Sequence, residues 1–284
     1  CGFCYNKEFN KRKWRGESSD HLVGRMEELV KKYNITAFEI EDDEFFVDMN
    51  RARKVCELLL DKKLNIEIFT TCRVNYVMQR MDDGLLKLCF DAGFKSLAFG
   101  VESGSPRVQQ LMAKDISNDQ VIGTIERLKK AGIGSKYYFI AGTPTETPED
   151  LYATTDLIRK MKQIDYGVRI PPWRVFTPYP GTDLYALSIK YGFVPPNNLE
   201  DWSKYDFTKV RTPWVKGKNK RIIYNVIYSI SFLELKQGKS KSFYFKLSRF
   251  YGKTVDFRWK MHWFYFPEKH LISLVKKIKH KRYG

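Results

Sequence analysis

Two cysteines open the chain, in "CGFCYN", where Cys1 and Cys4 enclose a glycine and the aromatic Phe3. Thiolates at Cys-x-x-Cys spacing can face one soft metal ion or cluster, or act as a redox pair. Two thiolates do not close a metal site. Partners must come from elsewhere, and since no Met precedes Cys1 the chain is expected to be cut inside its motif. Zinc would need two further ligands. Cys56, Cys72, Cys89 and the four histidines show no paired spacing, so zinc is discounted.

Further polar residues follow short apolar runs. "EIEDDEF" supplies Glu41, Asp42, Asp43 and Glu44; "TTCR" supplies Thr70, Thr71 and Arg73; "GVESGS" supplies Glu102, Ser103 and Ser105. "AGTPTET" and "TPYPGT" complete the set. Each has a plainer reading. Carboxylates favour the N-terminal end of a helix dipole, and Gly-Ser or Pro-Gly pairs make turns. Cys56 and Cys89 fall on apolar helical faces and read as core thiols, and Cys72 reads as packing.

The elements that must position these groups alternate. β-branched and aromatic runs at 35–41, 65–71, 95–101, 135–141 and 168–176 predict strands. Stretches of helical period at 18–33, 48–63, 81–93, 118–132, 147–162 and 183–192 predict helices. Ser19 or Asp20, Asn118 and Thr147 are the expected N-caps, and Gly93 and Gly132 the expected stops. Strands alternating with helices predict a parallel sheet with helical crossovers. The fold class is therefore α/β: a partial (β/α)6 barrel whose first strand is missing, over residues 1–195, with an extension over 196–284. In such folds the carboxyl ends of the strands form the site. All the polar runs above, and the Cys loop, fall at that end. Their convergence, more than any one of them, predicts an active site.

Five irregularly spaced cysteines do not make a disulfide framework in a chain of 284 residues, and fit a reducing, cytoplasmic compartment. No apolar run approaches the ~20 residues of a membrane-spanning helix. Charge is uneven: residues 1–202 carry 29 Lys+Arg against 29 Asp+Glu, whereas residues 203–284 carry 21 against 4 and 18 aromatics. That basic, aromatic-rich and mainly helical extension has three readings. It can cap the barrel with its aromatics inside, lie on the inner face of a membrane, or bind nucleic acid, the last being less favoured. The tail "HLISLVKKIKHKR" has the spacing of a surface helix.

"CGFCYN", "FEIEDDEF", "LAFGVESGS", "KYYFIAGTPTET" and "PYPGT", in this order, resemble the radical S-adenosylmethionine (radical SAM) enzymes. The likeness covers roughly residues 1–195 and is greatest to the cobalamin-associated branch typified by anaerobic magnesium-protoporphyrin monomethyl ester cyclases. Cys1 and Cys4 match the second and third cysteines of the C-x3-C-x2-C signature.

The resemblance implies a [4Fe–4S] cluster held by thiolates, S-adenosylmethionine chelated to it, and reductive cleavage to a 5′-deoxyadenosyl radical. It implies Phe3 near the adenine, Asp42 and Asp43 at the methionine amino group, and Glu102 and Ser103 near the ribose or methionine. It places Lys114, in "MAKDIS", at the carboxylate, and the segment of Gly142 along the adenine. Cobalamin, carried by a domain ahead of Cys1, fits the same branch. So do a small-molecule or lipid-like substrate and an electron donor such as flavodoxin or ferredoxin. Methyl transfer and oxidative cyclisation are both open. The alternatives are a radical methylthiotransferase acting on tRNA, and a binding protein that has lost its cluster.

Overall fold

The computed structural model describes residues 1–11, 13–234 and 243–268. Five strands, β1 (Ala37–Ile40), β2 (Glu67–Thr71), β3 (Phe94–Glu102), β4 (Gly134–Ala141) and β5 (Arg174–Val175), form one sheet in sequential order. Every neighbouring pair is parallel. Helices α1 (Asn6–Phe9) and α2 (Ser19–Tyr33) precede β1, and α3 (Met49–Asp61) links β1 to β2. Helices α4 (Val74–Gln79) and α5 (Asp83–Asp91) lead to β3, and α6 (Pro106–Leu111) and α7 (Asn118–Ala131) to β4. Helix α8 (Pro148–Ile164) leads to β5, followed by α9 (Asp183–Lys190), α10 (Leu199–Trp202), α11 (Gly217–Glu234) and α12 (Phe243–Lys260). Sequential parallel strands with helical crossovers are the arrangement of an opened β/α barrel, as expected.

Where the structure departs from the sequence reading, local chemistry explains it. The caps of α2 and α7 are Ser18 and Ser117, one or two residues ahead of the expected Ser19 or Asp20 and one ahead of the expected Asn118. Both serines are extended and let the hydroxyl reach the N–H three residues on, which a helical residue cannot do. Thr147 caps α8 as expected, with Asp150 completing the capping box. The fifth strand shrinks from 168–176 to two residues, with a single bridge from Arg169 to Lys136 before it. Pro171 and Pro172 interrupt it because they carry no N–H for the ladder.

The sheet alternates. On β4, Tyr137, Phe139 and Ala141 are buried in the core while Tyr138 and Ile140 face the cleft. Phe99 and Tyr137 stack at 5.1 Å, and each such buried aromatic contributes roughly 1.5–3 kcal/mol. Cys56 and Cys89 meet in this core with their sulfurs 3.8 Å apart. The hydrogen bond to Cys89 and burial push the Cys56 thiol up, and burial does the same to Cys72. All three are core thiols.

Helices α11 and α12 pack on α8 and on each other, and Ile222, Val226, Ile230, Val255 and Trp259 join the core of the barrel. Trp259 Nε1 donates to Ser229 Oγ at 3.0 Å inside it. Phe250, Phe257, Trp263 and Tyr265 stay exposed. The "HLISLVKKIKHKR" tail lies outside the described residues. No helix among the described residues is long and apolar enough to cross a membrane.

Candidate active site

The cysteine loop is a tight turn, with Cys4 N donating to Cys1 O at 3.4 Å. Two backbone bonds at the buried Gly2 fasten it: its N–H donates to Met112 O, just past α6, at 2.7 Å, and its carbonyl accepts from Leu184 N in α9 at 2.9 Å. Phe3 is drawn inward onto Val108, Met112, Phe176 and Leu184. The Cys1 and Cys4 thiols are free, Cys1 exposed and Cys4 half-buried. The partly buried Phe3 between the two thiols is the residue of this loop that lines the cleft.

Below the loop lies an ion pair. β3 shifts register between Gly100 and Glu102, and Glu102 takes the left-handed backbone at φ +70°. Its carboxylate meets Lys114 Nζ at 3.2 Å, and that ammonium sits 5.9 Å from the centre of the Phe3 ring. Gly100 makes room: a Cβ there would fall 2.2 Å from Glu102 Oε1. Burial pushes the Glu102 carboxyl up, and Lys114 pulls against it. Phe3, Glu102, Tyr138, Ile140, Arg174 and Phe207 line a cleft of about 330 Å³.

Of the residues singled out in the sequence, Phe3, Glu102 and Lys114 thus come together with the Cys loop. Asp42 and Asp43 are exposed beyond the end of β1, where Thr71 Oγ1 donates to Asp42 O at 3.1 Å and Asn10 Nδ2 to Asp43 Oδ2 at 3.2 Å. Ser103 is fully buried and turns away from the cleft: its hydroxyl pairs with Thr154 Oγ1 at 3.1 Å and accepts from Ser105 N at 3.1 Å.

Glu44, the last acid of its run, was named in the sequence with its neighbours but given no role of its own. Its side chain accepts from Phe46 N at 3.2 Å. Burial pushes its carboxyl up to about 7, against the pull of Arg73, Arg80 and Lys114. The signal was the Phe45-Phe46 pair, whose burial turns the acid beside it inward.

Gly142 occupies the turn after β4 at φ +88°. Its N–H donates to the Glu146 carboxylate, as does Thr143 N at 3.2 Å, and its carbonyl accepts from Trp214 Nε1 at 3.0 Å. Asn219 of α11 donates to Glu146 O at 2.6 Å, so the C-terminal segment clamps this turn. Burial lifts the Glu146 carboxyl to about 8 despite its two N–H donors. A folded value above the unfolded 4.5 means stability that is complete below pH 4.5 and is lost as pH rises through 8. Relative to Glu146→Gln, the wild-type protein should lose stability over that window by up to ~1.4 kcal/mol per pH unit, and no more above it. Denaturant unfolding of both at several pH values checks this; a constant difference would count against it.

A parallel β/α half-barrel with a cysteine turn over the carboxyl ends of its strands defines a class of fold and site. The chain belongs to the radical SAM superfamily, whose family description matches residues 1–158. Over 206 residues it is 32% identical to a protein of Pyrococcus horikoshii named an uncharacterised methyltransferase, covering 72% of this chain and 42% of that one. Over 217 residues it is 28% identical to the anaerobic magnesium-protoporphyrin IX monomethyl ester cyclase of Rubrivivax gelatinosus, covering 76% and 36%. The structure of the cobalamin-dependent S-adenosylmethionine radical enzyme OxsB with aqua-cobalamin bound shares the fold, with a TM-score of 0.65 at 16% identity, covering 88% of this chain and 43% of that one. The chain therefore spans less than half the length of these relatives.

The superfamily's cofactors are a [4Fe–4S] cluster and S-adenosylmethionine. The donor set here suits them in kind: two free thiols on one turn, beside a buried carboxylate and ammonium. Among the described residues no group of three or more His, Cys, Asp and Glu could hold a metal ion.

Proposed function

We propose that this chain is the catalytic core of a radical SAM enzyme of the cobalamin-associated kind, which transfers a methyl group to a small organic substrate. The observation that carries the reading is the free Cys1 and Cys4 pair, pinned on a turn whose Phe3 ring lies 5.9 Å from Lys114 of the Glu102–Lys114 pair. Cys1 and Cys4 hold the cluster. When bound, the cluster supplies the electron for reductive cleavage of S-adenosylmethionine. Lys114 meets the carboxylate of that molecule, and Glu102 its ribose. Asp42 and Asp43 face its amino group, and Ser103 acts only by holding the Glu102 loop on α8. Gly142, buried and with its N–H and carbonyl both taken within the protein, would serve the adenine by shaping the turn after β4. Phe3 and the clamped turn at Gly142 exclude water, which would otherwise quench reactive species. Cobalamin would arrive on a domain outside these residues, and electrons from a small donor protein such as flavodoxin or ferredoxin.

Oxidative cyclisation is the second reading, favoured by the cyclase among the relatives. Methyl-deuterated S-adenosylmethionine separates the two. Offered with cobalamin, reductant and a small-molecule extract to the full-length gene product, it should leave a product heavier by one labelled methyl. Consumption of a substrate with no label incorporated would contradict methyl transfer.

A further inference from the structure

We propose that Arg174 is the substrate anchor of this cleft, and that the substrate carries a carboxylate or a phosphate-like acid on an apolar or aromatic body. The proposal rests on the reading of the cleft as the active site. Arg174 stands on β5 paired with Ile140 of β4, and both line the cleft. Its guanidinium lies over two rings, 5.3 Å from the centre of Tyr138 and 4.4 Å from that of Phe207. The backbone holds the second ring in place, since Val175 N donates to Phe207 O at 2.7 Å.

Aromatic faces hold a guanidinium in place while leaving N–H groups at its edge for a ligand. Among the described residues that edge has no carboxylate within ion-pair distance, and Arg174 is exposed to the cleft. Glu102, the acid of the cleft, is taken by Lys114 at 3.2 Å. A second cation, Lys136, lies 5.4 Å from the Tyr138 ring. The balance is positive, and a planar fork matches the two oxygens of an acid. Phe3, Ile140, Val175 and Phe176 make an apolar stretch of the wall, which suits an apolar body, with Thr177 and Tyr179 the polar residues beside it. Lysine would supply charge alone; the stacked fork supplies orientation as well.

The test uses the full-length gene product with three probes of one shape: 4-fluorobenzoate, 4-fluorophenylphosphonate and the neutral 4-fluorobenzamide. Fluorine NMR titration reads their binding without cluster or S-adenosylmethionine. Failure of the radical chemistry would appear in the cleavage assay and leave this titration readable. At least one acid should bind and the amide should not, and which acid binds names the group. Arg174→Gln should weaken the acid by ~10- to 100-fold, the range for a charge-assisted bond. Arg174→Lys, which keeps the charge without the fork, should fall between. The proposal is overturned if neither acid binds, if the amide binds as well as the acids, or if a folded Arg174→Gln binds them like wild type.

Discussion

Replacing Lys114 by methionine should destabilise the protein by roughly 3 kcal/mol at pH 8 and by much less near pH 5. The side chains of Glu102 and Lys114 are 9% and 15% exposed, so water screens the pair little. Removing one member of a buried pair leaves the other charge without a partner, which costs more than the pair contributes. Burial already pushes the Glu102 carboxyl above 4.5, and loss of Lys114 removes the first influence that opposes it. With the folded value above the unfolded one, stability is complete below pH 4.5 and drains away as pH rises through the folded value. At low pH Glu102 takes a proton and the penalty fades. Adding Glu102→Gln should recover much of the loss at pH 8, because no buried charge is then stranded. Denaturant unfolding of the three variants at pH 5 and 8 checks the scheme. A loss independent of pH, or a double variant no better than the single, would contradict it.

Gly104→Ala should cost about 3 kcal/mol for a different reason. A Cβ at Gly104 would fall 2.6 Å from Ala153 O and 2.7 Å from Thr154 Cα. Both are backbone atoms of α8, so no flexible side chain can move aside. The contact is close because Thr154 Oγ1 accepts from Gly104 N at 2.9 Å and pairs with Ser103 Oγ. Pushing the loop off α8 breaks both bonds and disturbs the backbone that holds Glu102 at φ +70°. The denaturant midpoint should fall with the slope unchanged. Gly24→Ala is the control: its Cβ meets nothing within 4 Å inside α2, so it should stabilise by ~0.5–1 kcal/mol. If Gly104→Ala were as harmless, the close approach to α8 would not be structural.

Strands and helices of the barrel were legible because their apolar residues repeat at the two periods that a half-buried strand and an amphipathic helix require. The cap of α8 was read correctly at Thr147, but those of α2 and α7 were read late. Composition marks the region of a cap, but the extended backbone of Ser18 or Ser117 selects the residue. The second helix of the extension was not legible: "FYFKLSRFYGKTVDFRWK" is so crowded with aromatics and cations that no apolar face stands out. Trp259 and Val255 are inside only because α8 and α11 are there, a contact far along the chain.

Motif and order picked out Cys1, Phe3, Cys4, Glu102 and Lys114, and the fold brings Phe3, Glu102 and Lys114 together with the Cys loop. Ser103 was read toward the cleft, but the bulge before Glu102 turns its hydroxyl onto Thr154 instead. Glu44 was named only as part of its acidic run and Arg174 not at all, for a shared reason. Each looks like an ordinary charged residue until the fold supplies its surroundings: burial beside Phe45 and Phe46 for one, the Tyr138 and Phe207 rings for the other.

The central claim is that Cys1 and Cys4 hold a cluster which cleaves S-adenosylmethionine. Its most direct test is anaerobic reconstitution of the full-length gene product with iron and sulfide, followed by dithionite, S-adenosylmethionine and assay of 5′-deoxyadenosine, with Cys4→Ala in parallel. The account predicts bound iron and 5′-deoxyadenosine from wild type, and loss of both in the variant to background. A Cys4→Ala protein that still forms 5′-deoxyadenosine, or a wild-type protein that binds no iron, would contradict it.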